Sequence, residues 1–328
     1  IASCLVGSEM CIRDSALGVY VPVAEHASAR RKRASGSAAA LTAALLMSGP
    51  ALAADLPTGG NVVAGAGSIS QNGSAMTINQ QTGKMAVDWQ SFSIGKGNSV
   101  TFNQPGRDSV ALNRVLGPDV SVIQGALNAN GQVFLVNPNG VVFTPTAQVN
   151  VGGIVASTLN ISTQDFLAGN YKFEGASSNA IINQGNITAA PGGSIALIAA
   201  KITNTGNLTA DKGNVLLGAG SRVKLDLGGP VKIEVEQGAI DALIEQGGAI
   251  RADGGTVYLT AKAAGDLAST VINHTGITQA KTLATGENGK IVLLGDMVND
   301  RIAVAGKLDA SAPSGCLLYT SPSPRDKR

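Results

Sequence analysis

The chain has 328 residues, of which 44% are hydrophobic, 14% charged and 3% aromatic, with 42 glycines and a formal net charge of +2. Cys4, Cys11 and Cys316 lie near the two ends, so the body of the chain has no disulfide framework, no Cys-based zinc site and no Cys nucleophile. Within residues 54–315 the balance is 16 Lys and Arg against 18 acids, because eight of the 24 bases and four of the 22 acids lie outside, and no basic stripe argues for nucleic acid.

The two ends read as coding accidents. Cys316 to Asp326 can be encoded by a DNA whose complementary strand, read from its third base, encodes Leu5 to Asp14. Residues 1–15 and 315–328 therefore resemble a transposon-type sequencing adapter translated in error, and they are set aside from fold reasoning. Residues 16–53 read as a signal-peptide region. Arg30-Arg31-Lys32-Arg33 is a basic n-region, Ala38 to Met47 a short apolar run, and Ala51-Leu52-Ala53 an Ala-x-Ala site cut before Ala54. The apolar run is short for a membrane span, and it shows no polar face to favour a retained amphipathic helix.

The body begins with short strands between turns: Ala75 to Gln80, Met85 to Trp89, Val100 to Gln104 and Val110 to Val115, with Pro105 ending the third of these. Trp89, the one tryptophan, is expected in the core or at the cap of the fold rather than at a partner surface. The stretch Gly125 to Phe143 then organises the chain. Val133 to Val136 and Val141 to Phe143 are apolar strands. Between them Asn137-Pro138-Asn139-Gly140 has Pro where a φ near −65° is wanted and Gly last, the residues of a type I turn.

A pattern of Gly-x-apolar-x-Ala, a turn ending in Gly, and x-apolar-x-apolar starts at Gly125. It returns at Gly185, Gly206 and Gly248, closes with Gly306-Lys307-Leu308-Asp309-Ala310, and has a slipped copy at Gly276. The spacings of 60, 21 and 42 residues read as three, one and two units. Such a period means a solenoid whose units bury their apolar faces against one another, here a parallel β-helix. About 12 rungs at roughly 4.8 Å give a rod of about 55–60 Å. Residues 56–100 are the candidate cap of its open end. Asn183 and Asn204, one unit apart, are placed to stack as an amide ladder.

Chemistry is scarce. His26 and His274 make no pair for zinc or for a Ser-His arrangement, and His274 reads as a turn residue. Gly218-Ala219-Gly220 is not a phosphate loop. Glu234, Glu236, Asp241 and Glu245 are the one acidic cluster. Paired carboxylates can act on polysaccharide, but such a cluster reads as a solvated loop or as a short helix, since Ile240, Leu243 and Ile244 have helical spacing. The sequons at Asn160 and Asn207 weigh little in Asn-rich turns. No cofactor, no metal site and no enzyme activity are expected.

Several segments in order carry a family resemblance: Trp89-Gln90-Ser91-Phe92-Ser93-Ile94-Gly95, Phe102-Asn103-Gln104-Pro105, Leu112-Asn113-Arg114-Val115, Ala129 to Gly140, and Val149 to Thr158. Over residues 56–175 the chain resembles the filamentous haemagglutinin N-terminal domain, the secretion (TPS) domain of two-partner-secretion exoproteins. The resemblance implies an all-β fold, a right-handed parallel β-helix (β-solenoid) with an N-terminal β cap. It implies a secretion domain over 54–175 (cap and first rungs) and further rungs over 176–314. By motif match, Asn137, Pro138, Asn139 and Gly140, and in a second matching segment Asn103, Gln104 and Pro105, belong to the transporter-recognition and secretion motif. The alternative is that they only shape corners. The implied partners are the general secretory translocon and an Omp85-type outer-membrane transporter with periplasmic POTRA domains, then a host-cell or neighbouring-cell surface, with no nucleic acid. The implied product is a secreted or surface adhesin of a Gram-negative bacterium. The stem of a contact-dependent toxin or haemolysin shares the same N-terminus, and a β-helical polysaccharide enzyme is the remoter alternative.

Overall fold

Each repeat alternates inward apolar with outward polar residues, the period a strand needs when one face is buried. Met76, Val100, Leu127, Val149, Ile187, Leu208 and Ile250 occupy one place in seven successive coils, paired directly in register, and all are buried. The computed structural model describes residues 9–13, 20–24, 56–227, 232–264, 269–283, 285, 287–296 and 300–312. Ile1–Ala51 and Leu52–Arg328 are separate compact units, and in the first of them Glu9–Arg13 pairs antiparallel with Tyr20–Ala24. Residues 25–55, which hold the basic run, the apolar run and Ala51, Ala53 and Ala54, and the C-terminal adapter-like end lie outside the described residues.

The second unit is a β-helix of three parallel sheets. The first sheet stacks nine parallel strands from Ala75–Gln80 to Lys307–Asp309, which number the coils 1 to 9. The second runs from Lys84–Trp89 to Lys290–Leu294, and the third from Ser121–Ile123 to Asp300–Val304. Two antiparallel strands close the N-terminal end: Gly67–Asn72 on Ala75–Gln80 and Asn61–Ala64 on Lys84–Trp89. This is the expected cap: it covers the free edge of the first coil, so the stack can grow only from the other end. Trp89 is in the core beneath it. Its Nε1 donates to Asn113 Oδ1 at 3.0 Å, and its ring meets Phe92 edge-on at 5.4 Å.

The repeat glycines have a steric cause. A Cβ at Gly206, Gly248, Gly276 or Gly306 would run into the carbonyl oxygen of the glycine one coil below. Gly276 is therefore in register, not slipped: Ile277 pairs with Ala249 and points outward, and Thr278 takes the inward place of Ile250.

Two other expectations on the repeat fail for one reason. Gly125 to Gly185 spans two coils, not three, and Gly206 to Gly248 spans one, not two. The missing residues are excursions that leave where the second sheet turns into the third, 158–179 in coil 4 and 220–242 in coil 6. The stack accordingly has nine levels rather than 12, about 38 Å at roughly 4.8 Å per step.

The excursions build a second layer. Tyr171–Glu174 pairs antiparallel with Arg222–Asp226, which pairs with Lys232–Gln237. Of the loop or short helix expected around Ile240, the structure has the loop, an exposed turn between the strands Lys232–Gln237 and Leu243–Gln246. The described α-helix is Thr163–Ala168. Ser162 Oγ caps it by accepting from Asp165 N at 3.0 Å, Gly169 ends it with φ 79°, and Lys84 Nζ donates to the carbonyls of Phe166 (3.2 Å) and Leu167 (2.8 Å). Beneath this layer Leu112, Phe134, Tyr171, Phe173, Ile198, Leu216 and Ile233 form a core of their own on the outer face of the second sheet.

Candidate functional site

The two motifs singled out in sequence occupy different corners of the β-helix. Asn137 to Gly140 turns coil 3 from the second sheet (Gln132–Val136) into the third (Val141–Phe143). Asn103 to Pro105 turns coil 2 from the first sheet (Ser99–Asn103) toward the second (Val110–Val115). The structure therefore does not bring them into one site.

The first corner is a hydrogen-bonded turn, with Gly140 N donating to Asn137 O at 3.0 Å and Gly140 at φ 115°, a region that a side chain disfavours. Asn137 is fully buried. Its Nδ2 donates to Asp119 O and to Ser121 Oγ, both at 2.9 Å, and its Oδ1 accepts Asn139 N at 2.9 Å. The amide thus ties coil 3 to coil 2 while shaping its own turn. Asn139, half-buried, donates from Nδ2 to Gly117 O at 2.8 Å. Pro138 O accepts from Ser177 Oγ (2.6 Å) and Asn179 Nδ2 (2.9 Å), so the returning end of the first excursion fastens the turn from outside.

At the second corner Gln104 is buried and Asn103 and Pro105 are exposed. Gln104 is a three-coil staple. Its Nε2 donates to Gln80 Oε1 (3.0 Å), Ser109 O (3.2 Å) and Gln132 O (3.1 Å), and its Oε1 accepts Gly131 N (3.0 Å). Asn130 clamps its backbone from the coil above, accepting Gln104 N at 2.7 Å and donating to Gln104 O at 2.8 Å. Asn103 Nδ2 donates to Asn79 Oδ1 at 2.9 Å. Gln80 and Asn130 were not singled out in sequence. They lie 24 and 26 residues from Gln104, and coil lengths that vary this much hide the pairing.

None of the seven motif residues is ionisable, so both corners act by hydrogen bonding alone. The acidic cluster does not converge on one point. Asp241 pairs with Lys201 (3.1 Å), Glu236 with Lys172 (3.5 Å), and Glu245 accepts from Thr203 Oγ1 (3.2 Å). Among the described residues no group of three His, Cys, Asp or Glu is placed to hold a metal. The amide ladder is present and longer than expected. Asn183 Nδ2 donates to Asn204 Oδ1, and Asn204 Nδ2 to Gln246 Oε1, both at 2.7 Å. The ladder ends at Gln246, whose Nε2 donates to Gly248 O at 3.0 Å; His274, expected in a turn, is next in register above it, at the end of the strand Ser269–His274 and fully buried.

Comparisons agree with this architecture. The family model described as TPS secretion domain matches residues 53–309. The Heme/hemopexin-binding protein of Haemophilus influenzae strain Rd is 34% identical over 274 residues, covering 78% of this chain and 29% of its own length. A second Heme/hemopexin-binding protein of Haemophilus influenzae is 32% identical, covering 71% and 28%. The chain thus spans less than a third of these relatives. The crystal structure of the HMW1 secretion domain from Haemophilus influenzae superposes with a TM-score of 0.61 at 27% identity, over 78% of this chain and 74% of that one.

Proposed function

Because the chain belongs to the TPS secretion domain family, we propose that Asn137–Gly140 and Asn103–Pro105 serve it twice, first as an address on the unfolded chain and then as corner staples. The chain is the secretion domain of a two-partner-secretion exoprotein, which travels through the periplasm of a Gram-negative bacterium to the surface or the medium. Its partner is an outer-membrane transporter whose periplasmic POTRA domains take up the unfolded chain, after the general secretory translocon has read residues 16–53 and a peptidase has cut before Ala54.

The observation that carries this order of events is the burial of Asn137 and Gln104. A transporter that reads these amides meets them before the coils close, because afterwards their hydrogen bonds are spent on neighbouring coils. The capped, one-way stack fits the same order: a coil that emerges finds its partner already in place, and folding propagates by nearest-neighbour contacts. The dispersed partners of the acidic cluster, ion pairs for Glu236 and Asp241 and a hydrogen bond from Thr203 for Glu245, support a non-enzymatic role.

The exoprotein's target lies with a region beyond these coils, on an adhesin or on the stem of a contact-dependent toxin. A second reading, a haem-acquisition exoprotein, is favoured by the two relatives named for heme and hemopexin binding. The test is co-expression with the cognate transporter. Asn137→Ala and Asn139→Ala are expected to accumulate in the periplasm, and normal export of both overturns the double role. In vitro refolding of the same variants separates a lost address, which leaves refolding intact, from a lost corner.

A further inference from the structure

The interior of the β-helix is held by neutral amides up to coil 6 and by a titratable ring in coil 7. Gln80, Gln104, Asn113, Asn137, Asn183, Asn204 and Gln246 are buried and cannot change charge near neutrality. His274 follows Gln246 in register and is as deeply buried. Its Nε2 lies 2.8 Å from Thr278 Oγ1, and Thr278 is itself a polar break in the inward ladder that Leu127 to Ile250 fill with apolar side chains. Nδ1 has no partner. The carbonyl of His274 is engaged twice, by Ala305 N at 2.8 Å and Gly306 N at 3.0 Å.

We propose that the His274–Thr278 pair is an acid-sensitive latch, which keeps coils 7 to 9 stacked while the ring is neutral and releases them, but not coils 1 to 6, when it takes a proton. The neutral ring fits with Nε2–H donating to Thr278 and Nδ1 bare. A proton on Nδ1 adds a charge to the core, and the hydrogen bond it can make to its own backbone offsets the cost of burial only in part. Among the described residues no charged group answers it. Asn273 on its own strand and Glu245 on the strand below alternate to the outer face. Asp300 and Arg301 sit at the opposite end of the strand above, and Lys307 and Asp309 flank the inward Leu308 on the last first-sheet strand. Burial accordingly lowers the ring's proton affinity from its usual value of 6.5. A depressed value means that the latch holds above about pH 6.5 and weakens as pH falls below it.

Peptide-resolved hydrogen exchange on the full chain, with labelling times scaled for intrinsic rates, tests this. Protection over 269–280 and 300–309 is expected to fall about tenfold per pH unit below 6.5, until the folded ring titrates, while protection over 132–157 holds. His274→Gln, which keeps an amide above Gln246, is expected to flatten that dependence. Equal pH dependence in the two regions, or an unchanged slope in His274→Gln, overturns the latch. Should that variant not fold, carbon-labelled histidine NMR on the native chain still decides, since His26 is the one other signal. A ring that titrates at or above 6.5 in the folded state refutes the proposal.

Discussion

Coils 2 to 6 and coils 7 to 9 are made from the same repeat but are secured differently. The proximal coils are packed on both faces of the second sheet: inward against the common core, and outward against the layer that the two excursions build. The distal coils have the inward core and, in coil 7, Tyr258 at the edge of that outer layer, while Leu294, Val304 and Leu308 of coils 8 and 9 are 43%, 48% and 40% exposed. Their interior also carries His274 and Thr278 where earlier coils carry amides and aliphatics. The repeat thus sets the scaffold, and what departs from the repeat sets which part of it is strongest.

The comparison breaks most sharply at Phe134, whose ring lies 5.0 Å from Tyr171 and 5.9 Å from Phe166 and is fully buried outside the second sheet. Phe134→Ala is expected to cost about 3–5 kcal/mol and to level proximal with distal stability. Urea melts followed by Trp89 fluorescence measure it, and a loss under about 1 kcal/mol contradicts the second core. Next in size is Asn137→Ala. It strands Ser121, the Asp119 carbonyl and Asn139 N in or near the core, at about 2–3 kcal/mol, whereas Asn139→Ala, half-exposed, costs about 1 kcal/mol. The same melts rank the pair, and equal losses would sink the claim that Asn137 is the staple.

A smaller effect sharpens the contrast by moving it. Gln246→His in a His274→Gln background shifts the titratable rung one coil down, between Asn204 and position 274. Acid is then expected to weaken the stack from coil 6 by about 1.4 kcal/mol per pH unit below 6.5. Exchange protection over residues 243–251 reads it. If that segment stays flat with pH, burial in the ladder does not set the acid response.

Much of this was legible because the legible features are steric and local. Glycines at 206, 248 and 306 recur because a Cβ has no room there, and Asn137-Pro138-Asn139-Gly140 specifies its own turn. The excursions were hidden by arithmetic. An insertion of about one coil's length looks like another coil, so 42 residues from Gly206 to Gly248 read as two units. At Gly276 the apolar Ile277 directly after the glycine looked like a slip, because the inward place falls to a polar residue, Thr278, whose partner His274 precedes the glycine on another sheet. The Gln104 staple depends on three coils of unequal length, which no fixed period reveals.

Lys212 isolates backbone from side chain within the corner that both regions share. Gly192, Lys212 and Gly254 stack there, all at positive φ (81°, 54° and 73°), and Lys212 is the one non-glycine with positive φ among the described residues. Its Nζ pairs with Glu287 Oε1 at 2.8 Å across the coil of Gly254. That lysine hydrogen bond, then one from Thr285, holds the Glu287 carboxyl at about 2, so the pair is charged at mildly acid pH and is lost only as pH approaches that value. Lys212→Ala keeps the left-handed strain and gives up the pair. Lys212→Gly gives up the pair but relieves strain of about 1–2 kcal/mol, against a chain-entropy cost of about 0.5–1 kcal/mol. The glycine variant is therefore expected to melt above the alanine variant by roughly 1 kcal/mol and to lie within about 1 kcal/mol of the parent. If alanine matches glycine, the corner is not strained, and the lysine is held there by the turn rather than by its ion pair.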